Sequence, residues 1–104
     1  MSYYGTEYFD DGTSVTIYDC GEERWSMNGK LHRENGPAIS YEDGWQEWWL
    51  HGKCHREDGP AIVNHKGEKW WYLNDEQVSW QDVFRLAKTQ EQQVRILCYV
   101  ATLS

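Results

Sequence analysis

The segment NGKLHRENGPAI at residues 28–39 returns as HGKCHREDGPAI at residues 51–62, an interval of 23 residues. Within it, residues 32–39 match residues 55–62 at every position except Asn35, which becomes Asp58. The same interval relates three tryptophans, which are Trp25, Trp48 and Trp71. Self-similarity at a fixed period is typical of repeat architectures. The sequence therefore predicts two well-matched units, with a degraded unit before them.

Each unit reads as short strands joined by tight turns. Residues 37–41 start with proline, which suits the first residue of a strand, and residues 45–50 form a second, aromatic run. A short Lys-x-His strand follows. The turns between these runs carry Asp43-Gly44, Asn28-Gly29 or His51-Gly52, and glycine accepts the positive φ that hairpin turns need. We expect an antiparallel β-meander that grows by one unit every 23 residues.

The motif Asn-Gly-Lys-x-His-Arg-Glu-x-Gly-Pro-Ala, preceded by an aromatic-Leu pair, resembles the repeat of small proteins of bacteriophages and large DNA viruses. These are similar to MORN-type β-hairpin repeats, including an antitoxin-like bacterial variant. The resemblance covers Trp25 to Asn74, and it departs from the pattern where Asp75-Glu76 replaces Gly-Lys. It implies a single-layer array of hairpins, used as a scaffold or binding surface in a virus that infects bacteria.

Side chains of a strand alternate between faces, and comparison of the units separates these faces. One face repeats Trp25/Met27, Trp48/Leu50 and Trp71/Leu73, which we expect to form the core. The other face changes from polar to aromatic along the array. Its later part consists of the aromatic residues Trp45, Trp49, Trp70 and Tyr72, with Glu47 among them. These side chains need a cover.

The C-terminal segment has helical spacing. Ser79 and Asp82 have the form of a capping box, and Thr89 offers a second helix start. In the second helix, one apolar stripe holds Val94, Leu97, Cys98 and Ala101, with Ile96 and Val100 beside it. We expect one or two helices that cap the meander and bury the aromatic face. The alternatives are a helix that binds a partner, or an aromatic patch that docks a partner or a second copy.

The predicted fold class is thus mainly β with C-terminal helices (α+β), in one domain over residues 1–104. Residues 1–24 form an acidic degenerate first repeat, residues 25–78 two MORN-like hairpin repeats, and residues 79–104 a helical cap.

The repeated His-Arg-Glu triplets at residues 32–34 and 55–57 contain residue types that a hydrolase or a metal site would use. Neighbouring residues on a strand point to opposite faces, so the histidine and arginine do not converge without a bulge. We therefore favour a local role, in which arginine and glutamate bond the turn backbone and histidine bonds across the hairpin. Repeated metal ligands and catalysis remain as alternatives.

The formal net charge is -7, and residues 1–24 carry six acids against Arg24 alone. Acidity disfavours direct binding to nucleic acid or to anionic lipid. The three cysteines are odd in number and contain no CxxC pair, which favours a reducing compartment. Because the N-terminal residues lack the pattern of a signal peptide, we expect a cytoplasmic location in the host cell.

These features favour a non-enzymatic, phage-encoded protein that binds and inhibits a host protein, for example a nuclease or CRISPR component of a defence system. No cofactor, metal or membrane contact is expected. The acidic stretch would face a basic partner surface, and the surplus aromatic residues would supply interface anchors. The candidate partner-binding residues are Trp45, Glu47, Trp49, Trp70, Tyr72, Asp10, Asp11, Asp19, Glu22 and Glu23. One alternative is a self-assembling or virion structural protein, and another is a small hydrolase or metal-binding protein.

Overall fold

The computed structural model describes residues 3–101, so the first two and last three residues of the predicted segments lie outside it. It is mainly β, with two C-terminal helices. The strands are β1 (Tyr3–Tyr8), β2 (Thr13–Tyr18), β3 (Glu23–Met27), β4 (Lys30–Leu31), β5 (Ile39–Ser40), β6 (Gln46–Glu47), β7 (Trp49–Leu50), β8 (Lys53–Cys54), β9 (Ile62–Val63), β10 (Lys69–Leu73) and β11 (Glu76–Val78). The helices are α1 (Trp80–Leu86) and α2 (Gln90–Ala101).

The strands form an antiparallel meander in the order β1-β2-β3-β5-β6-β9-β10-β11. β4 pairs with the end of β3, while β7 and β8 form a separate two-stranded ladder. β3 and β10 change partners half-way along. In β10, Lys69 and Trp70 pair with β9, and the following residues pair with β11. The strands that lie 23 residues apart, β3, β6 and β10, are separated in the sheet by one intervening strand each.

Backbone hydrogen bonds recur at the same interval. The Trp25 amide donates to the Ala38 carbonyl, and the Trp48 amide donates to the Ala61 carbonyl, both at 2.7 Å. The predicted strand over residues 45–50 is interrupted at Trp48. Its amide donates to the Ala61 carbonyl, just before β9, and its carbonyl accepts from the His55 amide, just after β8. The predicted strand over residues 37–41 is reduced to Ile39–Ser40, since Tyr41 already belongs to the next turn.

The hairpin turns adopt the left-handed backbone that their residues predicted. Asn28 and Gly29 have φ of 52° and 77°, and His51 and Gly52 have φ of 50° and 80°. In the third turn, Asp75 takes the glycine position at φ 70°. Aspartate tolerates this conformation better than most residues. Its carboxylate accepts a hydrogen bond from the Cys54 amide at 2.8 Å, which ties the third turn to β8.

The two helices pack on the face of the sheet that carries Trp71. Trp71, Val83 and Ile96 form a buried cluster, with Leu73 and Tyr99 packed against it. The expectation that the helices bury the opposite face, with Trp70 and Tyr72, is therefore wrong. The helices pack Val83, Ile96 and Tyr99 against Trp71 and Leu73, and this packing removes the apolar side chains of that face from water.

The repeated face is a core only where the helices cover it. Trp71 is 6% exposed, whereas Trp25 and Trp48 are half-buried, because the sheet is a single layer before the helices begin. Arginine side chains cover those two indoles instead of a helix.

α2 buries a different stripe from the one predicted. Ile96 is fully buried, and Tyr99 and Val100 are half-buried. Val94 is 55% exposed and Leu97 45% exposed, and Cys98 and Ala101 are exposed as well. The two apolar stripes overlap on the helix, so periodicity alone did not decide between them.

The predicted capping box of α1 is present. The Ser79 hydroxyl accepts from the Asp82 amide, and the Asp82 carboxylate accepts from the Ser79 amide. The second predicted helix start is also present, since the Gln92 amide donates to the Thr89 hydroxyl at 3.1 Å.

The capping box makes helix stability depend on pH. The hydrogen bond from the Arg85 guanidinium, with the bonds from Ser79, holds the pKa of Asp82 below its ordinary value. A carboxylate with a lowered folded pKa stabilises the fold above its unfolded pKa, about 4, and this contribution is lost as pH falls through the folded pKa. We expect Asp82→Asn to lower the melting temperature at pH 7, with the gap to wild type closing below pH of about 4. Thermal unfolding followed by circular dichroism from pH 7 to pH 2 measures this gap, and a constant gap would contradict the assignment.

Candidate partner-binding surfaces

The predicted aromatic face is organised around Glu47. Its carboxylate accepts the indole N–H of Trp45 at 2.7 Å and that of Trp49 at 2.9 Å. The three side chains therefore share one face, as alternation along the strand predicted. All three are half-buried. Glu47 satisfies both indole donors and holds the two rings in fixed positions, which leaves an ordered aromatic surface with little rotamer entropy to lose on binding.

Trp70 and Tyr72 lie on the same side of the sheet, further along it. Ile62 pairs with Glu47 on one edge and with Trp70 on the other, so the three residues form a row across three strands. Trp70 is then about 10 Å from Glu47, or two strand spacings. Trp70 and Tyr72 are half-buried. Five of the ten candidate residues thus belong to one face, which we call the aromatic face: Trp45, Glu47, Trp49, Trp70 and Tyr72.

The acidic candidates do not form one surface. Asp10 and Asp11 lie in the turn before β2 and Asp19 in the turn after it, at opposite ends of a six-residue strand that is about 20 Å long. The hydrogen bonds from the Thr13 hydroxyl and amide hold the Asp11 pKa below its ordinary value. The Asp11 carboxylate is therefore engaged within its own turn.

Glu22 and Glu23 are structural parts of the sheet. Glu22 is 2% exposed and forms an ion pair with Arg24, so it is inaccessible to a partner. Glu23 is half-buried and accepts the Trp25 indole N–H at 3.3 Å. Sequence position could not reveal this, because the burial of Glu22 depends on the fold of its turn.

The histidines of the repeated triplets bond backbone in the next hairpin. His32 is buried, and its Nδ1 accepts from the His51 amide at 2.9 Å. His55 Nδ1 accepts from the Asn74 amide at 3.0 Å. Each histidine therefore ties its unit to the turn of the following hairpin. A structural role was predicted, but the bond runs to the next hairpin and not across the same one. Within residues 3–101, no group of three or more His, Cys, Asp and Glu side chains is placed to hold a metal ion.

The arginines of the triplets fold back over tryptophan. The Arg33 guanidinium lies 4.1 Å from the ring centroid of Trp25, and that of Arg56 lies 3.9 Å from Trp48. Both donate to the proline carbonyl four residues on, at 3.3 and 3.1 Å. Cation–π stacking of this kind covers the indole and fixes the guanidinium.

The two arginines differ in what lies on their outer side. Arg56 also stacks on the Tyr99 ring at 5.0 Å, donates to the Tyr99 hydroxyl at 3.1 Å and bonds Asp58 at 2.9 Å. Arg33 makes none of these contacts with the described residues, since Asn35 stands in place of Asp58 and α2 does not extend over it. Its guanidinium therefore retains donors that a partner could use.

A groove of about 670 Å³ opens beside Arg33. Trp48 and Leu50 contribute to its lining, the Arg33–Pro37 turn forms one wall, and Arg56, Gln92 and Arg95 line another. We call it the interunit groove. Sequence reasoning missed it, although the change from Asn35 to Asp58 marked the position where the two units differ.

Cys54 lies close to the aromatic face and is 4% exposed. Burial, with the nearby carboxylates of Glu47 and Asp75, raises its thiol pKa to about 12. Because the thiolate is the nucleophile, Cys54 should react with iodoacetamide at pH 8 at least about a hundredfold more slowly than the exposed Cys20 and Cys98. Mass spectrometry of timed digests measures these rates, and urea-unfolded protein, in which all three react, is the control. Equal rates in the native protein would show that β8 opens readily.

In the described part of the chain, no helix is long and apolar enough to cross a membrane. Comparison with protein-family models, with curated proteins and with solved structures found no match to this chain.

Proposed function

We propose that this chain is a non-catalytic binding module built on tandem 23-residue, MORN-like hairpin units, and that it docks onto another protein through its aromatic face. In the fuller hypothesis that the repeat resemblance suggests, it is a phage-encoded protein that inhibits a host protein in the cytoplasm, such as a component of a defence system. Self-assembly through the same face is the competing hypothesis.

The observation that carries the proposal is the Trp45–Glu47–Trp49 cluster. Its two indoles are half-buried and held by one carboxylate, and the helices lie on the other side of the sheet. Tryptophan and tyrosine dominate interface hot spots because they bury large area at low entropic cost. A surface with several such residues supports protein recognition.

The contacts of the His-Arg-Glu triplets support a binding role over a catalytic one. His32, His55, Arg33 and Arg56 all bond backbone groups, and the arginines cover indoles. General acid–base work needs a side chain in reach of a substrate proton. Each of these four side chains bonds a backbone group of a turn, which is a structural use of the triplet.

The test is affinity capture from bacterial lysate with tagged wild-type protein and with the Trp45→Ala/Trp49→Ala variant. We expect at least one protein that wild type retains and the variant does not. The amount captured should fall about tenfold or more, as for loss of a hot-spot residue. The Val94→Ala variant, which changes an exposed residue of α2, is the matched control and should retain it. Circular dichroism must show that all variants fold.

The proposal fails if wild type and the Trp45→Ala/Trp49→Ala variant retain the same proteins. Light scattering decides the competing hypothesis: a wild-type oligomer that this double variant dissolves would assign the aromatic face to self-assembly.

A further inference from the structure

The interunit groove repeats, one unit earlier, the surface on which α2 lies, and we call each of these two surfaces a helix seat. α2 and α1 contact Arg56, Gly59, Trp71 and Leu73 through Tyr99, Ile96 and Val83. The residues 23 positions earlier are Arg33, Gly36, Trp48 and Leu50, and all four line the interunit groove. The chain thus presents the same four residue types twice at equivalent positions of the repeat, and its own helices occupy one of the two sets. The sets differ at the tryptophan, since the Arg56 guanidinium covers one face of the Trp48 ring, so a helix in the interunit groove would contact the part of Trp48 that lines it.

The spacing of the two seats fits two helices side by side. Equivalent strands β6 and β10 are separated by β9 alone, so the seats are two strand spacings apart, or about 10 Å. Packed helices have interaxial distances of about 8–10 Å. A helix in the interunit groove would therefore lie against α2, whose Gln92 and Arg95 already line that wall.

We propose that the interunit groove binds an amphipathic helix of a partner protein, which repeats the docking of α2. By analogy with Ile96 and Tyr99, the partner helix presents an aliphatic residue to Trp48 and Leu50, and three positions later a tyrosine to Arg33. The tyrosine ring would complete on Arg33 the sandwich that Tyr99 completes on Arg56.

The partner helix should also carry a carboxylate. At the occupied seat, Asp58 bonds both Arg56 and Arg95 of α2. Three carboxylates also line the interunit groove, but Glu57 pairs with Lys88, Asp58 pairs with Arg56 and Arg95, and Glu34 is exposed. Asn35 supplies no charge to Arg33, so an aspartate or glutamate of the partner that reaches the guanidinium would pair with it. The position that corresponds to Arg95 in α2 is the natural place for this acid.

This inference rests on the proposed binding function and adds a second surface with a defined partner chemistry. The probe is a synthetic peptide of residues 88–101 with capped ends, Cys98→Ser to prevent oxidation and Arg95→Glu to supply the carboxylate. Two matched peptides keep Arg95, or add Tyr99→Ala. Binding to the full-length protein is followed by ¹⁵N NMR titration of the tryptophan indole signals.

We expect the Arg95→Glu peptide to shift the Trp48 indole signal and to leave the Trp71 signal in place. Tyr99→Ala in the peptide, or Arg33→Ala in the protein, should weaken binding about tenfold, the size of one desolvated cation–π contact. Lys53→Ala, an exposed position outside the groove, is the matched control and should bind as wild type.

Asn35→Asp gives a charge-swap test that does not remove a structural contact, because Asn35 is exposed. It supplies Arg33 with the carboxylate that Arg56 has in Asp58. We expect it to weaken the Arg95→Glu peptide and to strengthen the peptide that keeps Arg95, each by about fivefold or more for a partly desolvated charge pair.

The proposal is overturned if no peptide binds, if the peptides shift Trp71 and so displace α2, or if Asn35→Asp leaves the preference unchanged. A dimer in light scattering that Asn35→Asp dissociates would place a second copy in the groove and also overturn it. If the peptides fail while Trp45→Ala/Trp49→Ala still abolishes capture of a protein, the groove assignment falls and the proposed function stands.

Discussion

Replacing Ile96 by alanine should lower the free energy of unfolding by about 3 kcal/mol, as for other buried aliphatic residues cut to alanine. Ile96 is fully buried and lies in the cluster with Trp71 and Val83, where the helices meet the sheet. Removing its side chain leaves a cavity in the best-packed part of the molecule. Urea denaturation followed by tryptophan fluorescence measures the change, because unfolding exposes the tryptophans of the sheet, including the buried Trp71.

Leu97→Ala is the matched control. Leu97 is the next residue of α2 and is 45% exposed, and leucine and alanine both favour helix. Its replacement should change the free energy of unfolding by no more than about 0.5 kcal/mol. Equal losses for the two variants would mean that α2 is rotated relative to the described packing.

Replacing Gly59 by alanine should destabilise the fold by about 2 kcal/mol through overpacking. A Cβ at Gly59 would lie 2.7 Å from the Arg56 Cζ and 2.9 Å from the Tyr99 Cε2. Arg56 is held between Trp48 and Tyr99, so it cannot move aside without giving up its stacking. Thermal unfolding by circular dichroism measures the loss.

Gly36→Ala is the control at the equivalent position of the preceding unit. The three atoms nearest to its Cβ would be side-chain atoms of Arg33, at 3.2 to 3.4 Å, and among the described residues Arg33 has no ring on its outer side to hold it. Gly36→Ala should therefore be within about 1 kcal/mol of wild type. Tyr99→Ala should lower the stability of the Gly59→Ala variant by less than it lowers that of wild type, because removing the ring relieves its contact with the new Cβ. A loss at Gly36 as large as that at Gly59 would contradict the proposed difference between the two seats.

The turns and caps could be predicted because they depend on short stretches of chain. The Asn28-Gly29 pair favours left-handed backbone in a hairpin turn, and the cap of α1 needs only Ser79 and Asp82, which lie three residues apart. Residues 1–24 were predicted only as a degenerate first repeat, without its strands, although Asp11-Gly12 carried the turn signal of the hairpin that β1 and β2 form.

The candidate site could be predicted in part. Alternation along one strand placed Trp45, Glu47 and Trp49 on one face, and hydrogen bonds to Glu47 join them. The acidic group was predicted from sequence proximity alone, and the fold separates it, since Glu22 turns inward to Arg24 while Asp10 and Asp19 lie at opposite ends of β2.

By itself, the sequence determined the 23-residue period, the positions of the turns and the existence of two capped helices, because each depends on contacts between residues close along the chain. Only the tertiary structure decided which stripe of α2 is buried, which face of the sheet the helices cover and that a second seat opens beside Arg33. These outcomes depend on competition between apolar surfaces far apart in the chain. At the end of the meander the helices bury Trp71 and Leu73, which removes these apolar side chains from water.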